Sequence, residues 1–210
     1  MAGPAFDAAF RDGLMDLVRW RRDVRRFRTD PLPPGLLDDL LAVANLAPSV
    51  GLSQPWRFVL VDDPARRAAV RASFAASNAA ALDAQAPGHA ALYAGLKLAG
   101  LDQAPCHLAV FADPQPGQGG GLGRRSMPET PAYSAVMAVH TLWLAARANG
   151  LGLGWVSILD PGQVVAALDV PPDWTFIGYF CLGYPAQEAE VPELERAGWE
   201  QRRAPVVLRR

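Results

Sequence analysis

Four short apolar runs constrain this chain more than any other feature: RFVLV (57–61), HLAVFA (107–112), GWVSIL (154–159) and TFIGYFCLGY (175–184). Each has the length and the β-branched and aromatic content of a buried strand. The helical patterns between them are unequal in number and length. A doubly wound parallel sheet needs a crossover helix between successive strands at regular intervals, and that regularity is missing. The sequence therefore predicts an α+β fold, a small mixed sheet surrounded by helices. With 210 residues, 50% of them apolar and 20% charged, the chain can bury one sizeable core and is not disordered throughout. A single domain over 1–210 is expected.

The first helix is expected from about residue 5 to the arginines near 21. Phe6, Phe10, Leu14, Leu17 and Val18 fall at helical spacing, interrupted by Asp7, Arg11, Asp12 and Asp16, which is unlike a signal peptide. Pro34 opens a second helix with a stripe of Leu36, Leu37, Leu40, Leu41 and Ala44. Further helices are expected from Asp63-Pro64 to about 82, over 89–101, over 132–149 with Gly150 closing it, and from Asp160-Pro161 to about 168. Residues 113–131, DPQPGQGGGLGRRSMPETP, are too rich in Gly and Pro for regular structure and read as a lid loop. Residues 185–210 read as a polar C-terminal arm without helix or strand pattern. The longest apolar stretch, Ala135 to Ala146, contains His140 and Thr141 and is too short for a bilayer. A soluble, cytoplasmic protein without a membrane partner is expected.

Several function classes lack their signatures. The 20 basic and 21 acidic residues leave a net charge of −1, which argues against a nucleic-acid partner bound through phosphates. Cys106 and Cys181 sit in strand-like runs and read as small core residues. There is no P-loop, no H-E-x-x-H and no G-x-S-x-G. His89, His107 and His140 are not spaced as a zinc site, so no metal is expected. The glycines at 117–123 miss the dinucleotide spacing, and no strand leads directly into them.

Three constellations remain. Arg21-Arg22-Asp23-Val24-Arg25 ends the first helix. Cations there suit the helix dipole, and guanidinium groups also bind phosphate bidentately. The loop Ala47–Trp56, APSVGLSQPW, offers two serines and a Gln amide to a polar heteroaromatic ring, or is an ordinary helix-to-strand connection. Gly152-Leu153-Gly154-Trp155-Val156-Ser157 lets backbone approach a flat ligand and supplies a hydroxyl, or is a strand bounded by glycines. Lys97 is the only lysine in an arginine-rich chain, a hint that an ammonium is wanted there.

In order, RRDVR, APSVGxxQPW-FVLV, a Tyr-Ser helix with LWLAARA-G, and GxGWVSI resemble the nitroreductase-like flavoprotein superfamily. The resemblance runs from about residue 14 to GWEQR at 198–202. Within the superfamily it is nearest to the branch that forms 5,6-dimethylbenzimidazole. Asp23 stands where many nitroreductases have serine, and Ser157 where the strand motif often has none. The resemblance implies a homodimer with two FMN sites at the subunit interface. It implies that Arg21, Arg22 and Arg25 hold the FMN phosphate and ribityl end, with Asp23 and Val24 near the ring system. It implies further contacts from Ser49, Gln54, Lys97 and Leu98, and a phosphate contact from Arg202 on the arm.

That branch consumes reduced FMN with O₂, giving 5,6-dimethylbenzimidazole and erythrose 4-phosphate; the base then becomes the lower ligand of cobalamin. The resemblance implies Asp23 as the proton-transfer residue and Ser157 as its helper at the flavin edge. No nicotinamide site is readable, so a separate NAD(P)H flavin reductase is expected to supply the reduced flavin. Two alternatives stay open at this stage: an NAD(P)H-dependent nitro- or quinone reductase that keeps its FMN, and a flavin-binding protein without catalysis.

Overall fold

A computed structural model describes residues 3–96 and 98–210. In chain order the elements are α1 (Ala8–Trp20), α2 (Leu36–Ala44), β1 (Trp56–Leu60), α3 (Pro64–Asp83), α4 (Pro87–Gly95), α5 (Gly100–Gln103), β2 (Cys106–Ala112), α6 (Thr130–Ala148), β3 (Gly152–Val156), α7 (Pro161–Leu168), β4 (Thr175–Gly183) and α8 (Glu193–Arg196). The α+β expectation holds. The sheet is not mixed, however. Its order is β1-β2-β4-β3 and all three ladders are antiparallel. Among the described residues parallel pairing occurs as one isolated bridge, Asp23 to Leu153.

Both faces of the sheet are covered, which is why its strands read as unbroken apolar runs. Side chains alternate between faces with period two. Ala109, Phe111, Tyr179 and Cys181 meet Val70 of α3 and Val164 of α7. Leu108, Val110, Phe180 and Leu182 meet Leu40 of α2 and Leu142 of α6. Every residue of β2 is buried. Each fully buried Leu, Val or Phe contributes about 1.5–3 kcal/mol of transfer free energy. Cys106 and Cys181 are buried free thiols, as expected. Burial raises their pKa values to about 11 and about 12, so both stay protonated and inert.

Boundaries differ from expectation where glycine or proline intervenes. Pro34 does not open α2. Pro34-Gly35 form a turn, and Gly35, at φ 80°, caps a helix that begins at Leu36. The single helix expected over 89–101 is two, broken after Gly95 and resumed at Gly100. β3 begins at Gly152 and stops at Val156, because its ladder with β4 ends at Val156–Tyr179. Ser157 therefore follows the strand. The arm holds one helical turn, α8. Gly150, at φ 71°, closes α6 as expected. Among the described residues no helix is long and apolar enough to cross a membrane.

His107 and Tyr179 form a buried polar pair across β2 and β4, with Nδ1 2.8 Å from the hydroxyl oxygen. Burial first, then repulsion from Arg67, lowers the His107 pKa from 6.5 to about 4. The unfolded chain binds this proton at pH 6.5 and below; the folded chain resists it down to about pH 4. Stability is thus full above pH 6.5 and falls as pH drops through that window. About 2–3 kcal/mol should be lost by pH 4.5 from this group. Urea midpoints of wild type and His107→Gln test this. The variant keeps a polar partner for Tyr179 but cannot charge, so its midpoint should change less between pH 7 and pH 4.5.

Candidate functional site

The RRDVR segment leaves α1 in extended conformation and lies along the outer edge of β3. Val24 N–H donates to the Leu153 carbonyl at 3.1 Å, and the Trp155 N–H donates to Asp23 Oδ1 at 2.8 Å. Two glycines of β3 make this possible. A Cβ at Gly152 would overlap the Val24 side chain, and one at Gly154 would overlap the Val24 carbonyl oxygen. The GxG spacing is therefore a backbone docking surface for the arginine motif.

Asp23 opens into two adjoining clefts. One, of about 180 Å³, is mostly apolar: Phe74, Tyr93, Leu98, Trp155, Leu194 and Trp199 line it, with Asn78, Arg25 and Ser157 among its polar groups. The other runs beneath the arm past Arg22, Val24, Arg25, Arg26 and Arg196. The Asp23 side chain keeps 40% of its surface open, but toward these clefts, with protein on its other sides. Burial accordingly raises the Asp23 carboxyl above the usual range. The Trp155 N–H, Arg25 and Arg21 pull the other way, and Glu193 adds to the rise. Arg25 Nε lies 3.8 Å from Asp23 Oδ2.

Next to Asp23 lies a group of cations that Asp23 and Glu190 offset only in part. Burial, followed by repulsion from Arg202, lowers the pKa of both Arg21 and Arg22. Arg202 of the arm is therefore close enough to Arg21 and Arg22 to repel both. Arg147, also near Arg22, is neutralised by a two-pronged pair with Glu188 at 2.7 and 3.2 Å. Among the described residues, Arg21, Arg22 and Arg202 have no ion-pair partner, and the buried Arg22 Nε has no hydrogen-bond partner. A buried donor left unpaired is costly, so this arrangement suits an anion.

Not every expected residue gathers here. Asp23, Val24, Arg25, Leu98 and Ser157 do, with Arg21, Arg22 and Arg202 close by. Lys97 lies outside the described residues. Ser49 and Gln54 are elsewhere: Ser49 Oγ accepts from the Gln54 N–H at 3.1 Å, and Gln54 lines a separate open cleft with Asn45, Trp56 and Gln118. Gln54 precedes β1, at the far edge of the sheet from Asp23. Three strand spacings and the seven-residue offset from Leu182 to Thr175 put Leu153 roughly 25 Å from Trp56. Phe74, Asn78, Tyr93 and Trp199 were missed. The first three sit in ordinary helical patterns that carry no chemical signal. Trp199 sits in GWEQR, where Arg202 alone was singled out.

The nitroreductase family model matches residues 18–184. The chain belongs to the nitroreductase family. The 5,6-dimethylbenzimidazole synthase of Rhodospirillum rubrum is 59% identical over 208 residues, covering 99% of each chain. One from Rhodobacter capsulatus is 53% identical over 196 residues, covering 93% of this chain and 95% of its own. Among solved structures, oxidized iodotyrosine deiodinase bound to FMN and 3-iodo-L-tyrosine superimposes with a TM-score of 0.72 at 26% identity, over 93% of this chain and 97% of its own. In this member of the family, the arginine motif and the GxG strand form one junction. Gly154→Ala should therefore destabilise by about 1–3 kcal/mol and speed hydrogen exchange at the Val24 amide. Gly88→Ala, with nothing within 4 Å of the added carbon, is the control and should be neutral or stabilising in a thermal melt.

Proposed function

We propose that this protein converts reduced FMN and O₂ to 5,6-dimethylbenzimidazole and erythrose 4-phosphate. The observation that carries this reading is 50–59% identity, over nearly the full chain, to three proteins named 5,6-dimethylbenzimidazole synthase. The clefts fit the substrate chemically. Unpaired, partly buried guanidinium groups suit a phosphate dianion, and the apolar cleft beside Asp23 suits a flat ring.

In this reading Arg21, Arg22 and Arg202 bind the phosphate, and Arg25 holds the ribityl end while pairing with Asp23. Val24 and Leu98 pack near the ring system, and Lys97 makes a further flavin contact. When bound, reduced FMN supplies the electrons that O₂ accepts and the carbon atoms of the benzimidazole. Asp23 moves protons as carbon–carbon and carbon–nitrogen bonds break. A carboxyl raised above its ordinary range suits proton transfer better than a strongly acidic one. Ser157 orients a proton at the edge of the ring. The apolar walls exclude water.

Ser49 and Gln54 reach the flavin from a second copy of the chain. The roughly 25 Å between the two edges of one sheet supports this, since one chain cannot bring both groups to one ring. The working form is a homodimer in the cytoplasm, and a separate NAD(P)H flavin reductase supplies the reduced flavin.

Incubation with FMN, NADH, a flavin reductase and air tests the function. Loss of flavin with appearance of the benzimidazole is expected. NADH oxidation without the added reductase, with flavin retained, would mean an ordinary reductase instead. Asp23→Asn, at saturating reduced FMN in a single turnover, should cut benzimidazole formation about 10²–10⁴-fold while flavin is still reoxidised. In wild type the rate should rise with pH through a midpoint above 3.8, the ordinary Asp value; the variant should lack that rise. Arg22→Ala should weaken FMN more than riboflavin in a fluorescence titration, by about 10-fold or more. Equal weakening would point to a structural role.

A further inference from the structure

The glycine-rich loop is closely seated on the segment that carries Gln54. Residues 117–123 contain five glycines. A Cβ at Gly119 would lie 2.8 Å from the Ser53 Cβ and 2.9 Å from the Gly51 oxygen. One at Gly51 would lie 2.9 Å from the Gly119 oxygen, and one at Gly123 would lie 2.7 Å from Val50 Cγ2. Glycines on both sides of the seam let the two backbones approach this closely. The seam also buries Ser53, whose hydroxyl has no partner among the described residues.

Gln118 spans this seam. Its Nε2 donates to the Leu52 carbonyl at 2.7 Å and to Gln54 Oε1 at 3.0 Å. The other end of the Gln54 amide donates to Asn45 Oδ1 at 3.2 Å, and that oxygen also accepts from Trp56 Nε1 at 3.0 Å. The Gln54 carboxamide is thus held from both sides. Its backbone needs holding too: Leu52 and Gln54 lie at φ 54° and 42°, a region that side-chain-bearing residues occupy only when neighbours enforce it.

We infer that Gln118 is a positioning residue, which from the glycine-rich loop fixes the Gln54 carboxamide in the orientation that meets the flavin. This rests on the reading above that Gln54 contacts bound flavin. The loop's glycines serve close seating rather than looseness, and the segment acts as a clamp on the second half of the flavin site.

A double-mutant cycle tests it, with FMN affinity read by flavin fluorescence and with the fraction of consumed reduced FMN recovered as benzimidazole. Gln118→Met keeps the side-chain length and removes the donor. It should weaken FMN about 3- to 10-fold and lower the recovered fraction, with the melting temperature unchanged. In a Gln54→Ala background the same substitution should have no further effect. Equal weakening in both backgrounds overturns the positioning role. So does no effect of Gln118→Met beside a clear loss in Gln54→Ala, which leaves the Gln54 contact standing. Unchanged affinity in Gln54→Ala itself overturns the Gln54 contact, and the positioning role with it.

Discussion

The pairing of the arginine motif with the bare edge of β3 is the contact on which the site depends. Val24 docks where Gly152 and Gly154 carry no side chains, and the Trp155 N–H holds Asp23. One short junction thereby fixes where α1 ends, where the guanidinium groups emerge and where the carboxylate points. It also explains why, among the described residues, a parallel bridge joins an otherwise antiparallel sheet. The segment is too short and too polar to be a strand, yet it borrows a strand's hydrogen bond. β3 itself is rigid because β4 beside it is buried at its core end on both faces. A polar motif is therefore positioned by one of the least deformable parts of the molecule.

Charge around this junction is deliberately unbalanced. Most arginines elsewhere have carboxylate or carbonyl partners, as Arg57 has Asp113 at 2.7 Å and Arg67 has the Val61 carbonyl. Arg21 and Arg22 are instead lowered by burial and by the nearby Arg202, and Asp23 beside them rises because burial outweighs its cationic neighbours. Isolated, such a cluster is unfavourable. In the proposed function a dianion and a flat ring would enter together and relieve this electrostatic cost.

In the proposed function the two edges of the sheet carry different halves of the chemistry. Asp23 and the arginine cluster gather at the β3 edge, while the Asn45–Gln54–Gln118 network sits beside the start of β1 at the other. The glycine-rich loop belongs to the second half. Its backbone seats against residues 50–54, and its root is pinned by Asp113, which pairs with Arg57 and accepts from the Gln115 N–H.

Much of this was legible in the sequence, for local reasons. Apolar runs gave the strands, because residues buried on both faces leave no polar alternation. Asp160-Pro161 and Gly150 marked helix ends, because caps act within a few residues. The order of short motifs identified the family and made the arginines, Asp23 and Ser157 its candidate site residues. What stayed hidden depends on contacts distant along the chain. The antiparallel sheet order and the end of β3 before Ser157 follow from pairing with β4. The cleft walls Phe74, Tyr93 and Trp199 come from two separate helices and the arm, and nothing in their local pattern tells an apolar wall from core. The glycines at 117–123 show most plainly where sequence stops. Composition reads them as loose, and only the tertiary structure, by bringing Val50, Gly51 and Ser53 against them, decides that they are there to let two backbones touch.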